Sequence, residues 1–337
     1  MPLSVVEIVW FWEGLDGPVL VGWGNLTGEK PDLVAAAGQN LYLFNPSNAG
    51  YALTQTVKVR SEALSLAVGL SAAPPQFIVL GLEDRLVVYG LRQGVLTELW
   101  ETEPEAGARF VDLNLADIDG DGRQEVIAAA AGRDALYIYR QVEGTAAAPQ
   151  LEILAIRILP GPAQKVTTVP GPAGSLPLII TAYKNDSTSG LLTLTYTERG
   201  LMEGPALESL PAQVTSMAAG DLRREPGEEL AWGGADGSVR IMEVSQLATL
   251  LTTNNLGSSI PALIAGRLAG ENTVTLVAGT PEGYLFGFSS PVESSSPDWA
   301  VRVARPVNSM SLSSEGLLGI GTADGGLQVW LLSGTVK

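Results

Sequence analysis

Seven times along this 337-residue chain, a short apolar run, a tight Gly/Asp/Asn turn and a second run carrying an aromatic follow one another. The segments are DLVAAAGQNLYLF (32–44), QFIVLGLEDRLVVY (76–89), EVIAAAAGRDALYIY (125–139), LPLIITAYKNDSTSGLLTLTY (176–196), ELAWGGADGSVRIMEV (229–244), TVTLVAGTPEGYLFGF (273–288) and GLLGIGTADGGLQVWLL (316–332). Two β-runs separated by so tight a turn form a hairpin. The hairpins start about 43 to 53 residues apart, the spacing of a structural repeat.

A further apolar run precedes most hairpins: VLVGWGNL, ALSLAVGL, VDLNLADI, VTSMAAGDL, PALIAGRL and VNSMSLS. A fourth, more polar run follows several of them, as in YALTQTVKV (51–59) and LEILAIRIL (151–159). Four antiparallel strands in a repeat of roughly 45 residues make one blade of a β-propeller. The expected fold is therefore all-β: a single seven-bladed propeller domain over 1–337, favoured over six or eight blades. The fourth repeat is the weakest, because PGPAGSLP replaces the usual glycine-acidic connection. The seventh repeat ends at GTVK, just past its third strand, while SVVEIVWFW (Ser4–Trp12) is a strand upstream of the first repeat. That N-terminal strand is expected to complete blade seven and close the ring, leaving only short sheet edges. The Pro/Gly/Ser-rich stretches near 144–150, 160–177 and 289–299 read as loops within the domain.

Composition narrows the chemistry. Acidic residues number 36 and basic residues 20, a formal charge of −16, which repels nucleic acid and anionic membranes and suits cations or basic partners. With no histidine and no cysteine, Ser–His and Cys–His catalysis and the usual zinc ligands are unavailable. No run approaches the roughly 18 apolar residues of a membrane span. MPLSVVEIVWFWEGLDG carries no Lys or Arg before its apolar run and reads poorly as a secretory signal. The chain reads as soluble and monomeric.

The candidate site is LADIDGDGRQEVIAAA (115–130). Asp117, Asp119 and Asp121 occupy positions 1, 3 and 5 of a loop, with Gly122 at position 6 for the sharp turn. Calcium loops begin this way, with alternate carboxylates converging on a hard cation. An EF-hand closes with glutamate at position 12, which here is Ala128; the acid is Glu125, at position 9, and β-runs flank the loop. All-oxygen ligands on a loop favour calcium over zinc or copper. Crowded carboxylates repel one another, so the loop should need a divalent ion to order fully. A solvated Asp/Gly-rich turn is the competing reading. The pattern D-x-D-G-D-G-x-x-E between strands resembles the calcium loop of FG-GAP repeats, found in integrin-α-like propellers and bacterial VCBS repeats. That resemblance implies one Ca2+ held by side chains of Asp117, Asp119 and Asp121, the backbone carbonyl of Arg123 and the carboxylate of Glu125. It also implies an extracellular or cell-surface setting.

The corresponding loops elsewhere are degenerate. Blade one keeps Asn25 and Asp32, blade five keeps Asp221 and Glu229 but inserts Arg223 and Arg224, and blade six has GRLAGENTV. Their acids are expected to hold the loops by hydrogen bonds and capping. Among the tryptophans, Trp23, Trp232 and Trp330 are expected in the core and Trp10 and Trp12 between blades, while Trp299 is the best candidate for an exposed contact. The turns GADGS and TADGG are also similar to quinoprotein and WD40-like blades, yet no catalytic constellation can be assembled around them. Two sequons, Asn25–Thr27 and Asn185–Ser187, carry little weight. The expected function is a non-catalytic binding module for a protein or glycan, with an enzyme or enzyme subunit acting in the central channel as the alternative. Fold alone does not choose between them.

Overall fold

In a computed structural model of the chain, the four-stranded unit recurs seven times as an antiparallel sheet. Residues 3–28, 30–70, 76–142, 149–171, 175–186, 188–223, 229–289 and 291–334 are described. Blade one comprises Val19–Gly24, Asp32–Ala37, Asn40–Ser47 and Gly50–Lys58, running from the hub outward. Blade three comprises Phe110–Ala116, Glu125–Ala130, Ala135–Val142 and Gln150–Ile158. Each blade's inner strand packs beside the inner strands of both neighbours, and Val307–Leu312 of blade seven packs beside Val19–Gly24 of blade one. The ring is closed, and the fold is the all-β seven-bladed propeller that the repeat predicts. Blade four is regular despite its weak sequence repeat, with second and third strands Leu178–Asn185 and Thr188–Thr197.

Closure is made as expected by the N-terminal strand. Leu3–Trp12 is the outer strand of blade seven, antiparallel to Leu327–Gly334, with Ile8 opposite Trp330 and Trp12 opposite Leu327.

The second strands of six blades are buried along their whole length, as in Asp32–Ala37, Glu125–Ala130 and Leu318–Thr322, while that of blade four emerges at Lys184. Both faces of each blade are covered there, so these strands are continuous apolar runs. The outer strands are half-solvated, and Gly50–Lys58 alternates cleanly between exposed and half-buried positions. Alternation divides each second strand between two gaps: Leu33, Ala35 and Ala37 join the cluster shared with blade seven, while Val34 and Ala36 join the one shared with blade two. Seven apolar clusters result, one in every gap between adjacent blades. The core is thus a set of wedges around a hub.

Polar staples tie the wedges together near the hub. The hydroxyls of Ser65, Ser216 and Ser309 donate to the carbonyls of Phe110, Ile260 and Val19 on the following blade, at 2.7, 2.6 and 2.8 Å. A glycine on the second strand makes room for each. A Cβ at Gly81, Gly233 or Gly321 would lie 2.2, 2.5 or 2.7 Å from the corresponding hydroxyl.

The tryptophans follow the expected pattern with one correction. Trp23, Trp232 and Trp330 are buried, and Trp10 is buried edge-on to Phe44 and Tyr51 of blade one. Trp12 stacks on Trp10 but keeps 36% of its surface exposed. Trp299, the best candidate for an exposed contact, is only 8% exposed. It lies on the outer strand Trp299–Arg302 of blade six, and its ring covers Gly287, where a Cβ would sit 1.9 Å from the indole. The missing side chain at Gly287 makes the slot that buries it.

Candidate metal centre

The aspartate loop joins the inner and second strands of blade three, as expected. Glycine gives it its turns: Gly120 and Gly122 adopt φ of +81° and +84°. The carboxylates bind the loop's own backbone. Asp117 accepts from the N–H groups of Gly120 (2.7 Å) and Gly122 (2.9 Å), and Asp119 from that of Asp121 (3.1 Å). Glu125 opens the second strand, is 1% exposed, and accepts from the Ile118 N–H at 2.9 Å.

Three of the predicted ligands converge. Asp117, Asp119 and Glu125 each bring a carboxylate oxygen within 4.8 Å of the other two. Asp121 stands outside that trio; it is exposed and accepts the Arg123 N–H at 2.7 Å. Arg123, predicted to contribute its carbonyl, is exposed at the end of the loop. The Glu125 carboxyl is pushed up to about 7, chiefly by burial, against the Ile118 hydrogen bond and with the charges of Asp119, Asp121 and Asp117 adding to the rise.

The same position in two other blades shows what such an acid needs. In blade one, buried Asp32 accepts from the backbone of Leu26 and Thr27 (both 2.9 Å), from the Thr27 hydroxyl and from Asn45 Nδ2 at 2.7 Å. In blade five, buried Glu229 accepts from the backbone of Leu222 (2.9 Å) and Arg223 (3.0 Å), and from Arg223 Nε at 2.6 Å. These acids cap their loops, as their sequences suggest; Arg224 lies outside the described residues. Blades one and five therefore supply an internal amide or guanidinium to the buried acid. Blade three surrounds it with further carboxylates.

Asn25 Oδ1 accepts the Gly28 N–H (2.8 Å) and Thr27 is bound to Asp32, while Asn185 Nδ2 donates to the Glu208 carbonyl; Ser187 lies outside the described residues.

The central channel holds a pair that sequence reading missed. Lys165 of blade four approaches Asp112 of blade three at 3.4 Å, and Asp112 also accepts the Val166 N–H at 2.9 Å. They line a cavity of about 190 Å³ whose other lining residues are apolar or carry only hydroxyl or amide groups. Burial raises the Asp112 carboxyl, and the Lys165 charge opposes that rise.

No protein-family model matches the chain, and no curated protein matches it. Its fold is similar to that of BBS1N in crystal structures of its complex with ARL6DN. In one, soaked with mercury, the TM-score is 0.73 at 14% identity over 98% of this chain and 97% of that one. In another, soaked with lead, it is 0.73 at 14% identity over 99% of both chains. At such identity the likeness is one of fold.

Proposed function

We propose that this chain is a non-catalytic, calcium-braced propeller that presents its loops to a protein or glycan partner. The observation that carries the reading is the contrast at one position of the repeat. Asp32 and Glu229 have an internal amide or guanidinium within 2.7 Å, whereas Glu125 faces Asp117 and Asp119. A divalent cation in blade three would do what Arg223 does in blade five, and oxygen-only ligands on a glycine-hinged loop suit calcium. The likeness to FG-GAP and VCBS repeats belongs to this reading, as does an extracellular or cell-surface setting where calcium is abundant. The binding role draws support from the fold neighbour, a propeller seen in complex with another protein, and from the channel's few charges, which are engaged with each other.

Thermal unfolding with calcium and with chelator tests the metal. Saturating calcium at about 100 times its dissociation constant should add about 2.7 kcal/mol of stability, seen as a raised midpoint. Asp119→Ala should abolish that increment and leave the chelated midpoint near that of the parent. An identical midpoint in calcium and chelator would sink the reading.

One observation favours a second reading, an enzyme or enzyme subunit of quinoprotein-like or hydrolase/lyase-accessory type: the Asp112–Lys165 pair faces the channel cavity. A turnover lost in Lys165→Met while the fold is retained would support it.

A further inference from the structure

The gap between blades two and three opens at the rim of the ring into a cleft of about 320 Å³. Its floor is Tyr139, 2% exposed, and its walls include Trp100, half-buried on the outer strand Val95–Glu101, and Ile153, 47% exposed. The lining polar groups are mostly acidic. Glu101 is paired with Arg60 (2.6 Å) and Arg85 (3.2 Å), and Glu152 with Arg140. Glu103 and Glu105, on the segment joining the two blades, have no ion-pair partner among the described residues. The chain's formal charge of −16 adds a field that draws cations.

A second feature is independent of this charge. The Tyr139 hydroxyl is buried and has no hydrogen-bond partner among the described residues. An orphaned buried hydroxyl is costly and uncommon. Burial, with Tyr137 and Glu105 adding to it, holds this phenol above the ordinary tyrosine range, so it keeps its proton and offers its lone pairs to a donor.

We propose that this cleft docks an arginine side chain of a protein partner. The guanidinium is planar and weakly hydrated, so it can lie against the half-buried Trp100, above the Tyr139 floor. Its N–H groups can donate to the Tyr139 oxygen and to the Glu105 carboxylate, a charge-assisted bond. Ile153 covers the aliphatic stem. The proposal rests on the binding-module reading only in taking a protein as the partner; it does not involve the calcium loop.

The test follows the indole N–H signal of Trp100, assigned with Trp100→Phe, while the whole protein is titrated with Nα-acetyl-arginine amide. Nα-acetyl-citrulline amide, neutral and nearly isosteric, is titrated in parallel. A saturable shift is expected with the arginine compound alone, in calcium and in chelator alike, so a failed calcium site leaves this test intact. Glu105→Gln should weaken the interaction roughly tenfold. Tyr139→Phe should weaken it too while leaving the melting temperature unchanged or raised, because no described residue binds the hydroxyl in the free protein. Equal response to the citrulline compound, no saturable shift at Trp100, or undiminished affinity in Glu105→Gln would each overturn the proposal.

Discussion

A buried acid at the start of the second strand is one residue-scale device used in three ways. Asp32 is answered by Asn45, Glu229 by Arg223, and Glu125 by neither. The difference has a pH signature in chelated protein. The Glu125 carboxyl, ordinarily near 4.5, stands at about 7 in the fold, so the folded state holds the proton more tightly than the unfolded chain does. The resulting stability is full below about pH 4.5 and is lost as pH rises through about 7. The loss is on the order of 3 kcal/mol. Urea unfolding in chelator near pH 5 and near pH 8 should show it, and Glu125→Gln should flatten it; an equal slope in the variant would refute the assignment. In calcium the slope should reverse, because the ion needs the carboxylate. The loop was legible in the sequence because its pattern is local, with Asp117 to Glu125 spanning a single turn. The internal partners of its cousins were partly hidden, since Asn45 lies 13 positions from Asp32 on another strand.

At the scale of the element, strand identity follows from burial on one or two faces, and the runs of the second strands made the blades readable. What escaped were pairings between blades. Asp112 and Lys165 lie 53 positions apart, and nothing local to either announces the other. Trp299 escaped for a related reason: its Ser/Pro-rich approach looks like a surface loop, and the slot at Gly287 belongs to the neighbouring strand. The hub staples make a testable element-scale device. A Cβ at Gly321 would lie 2.3 Å from the Val19 carbonyl and 2.7 Å from the Ser309 hydroxyl. Gly321→Ala should therefore part blades seven and one locally and cost about 1–3 kcal/mol in urea unfolding. A cost within about 0.5 kcal/mol, typical of an exposed surface substitution, would show that the staple yields freely.

For the whole molecule, the consequence of a wedge-divided core is that no blade owns its hydrophobic surface. Removing Leu3–Trp12 would uncover the edge of Leu327–Gly334 and take Trp10 from the gap between blades seven and one. Exposed strand edges recruit other chains, so a variant lacking residues 1–12 should run as soluble oligomers or aggregate in size-exclusion chromatography with light scattering. A monodisperse monomer with an unchanged melting temperature would contradict the role given to this strand. The same closure sets an order in time. Ile8 and Trp330 are partners more than three hundred positions apart, and a ribosome adding roughly 5–20 residues per second separates their emergence by tens of seconds. During that interval the strand bearing Val6, Ile8, Trp10 and Phe11 lacks its ladder partner, so a chaperone has reason to shelter it until Leu327–Gly334 emerges.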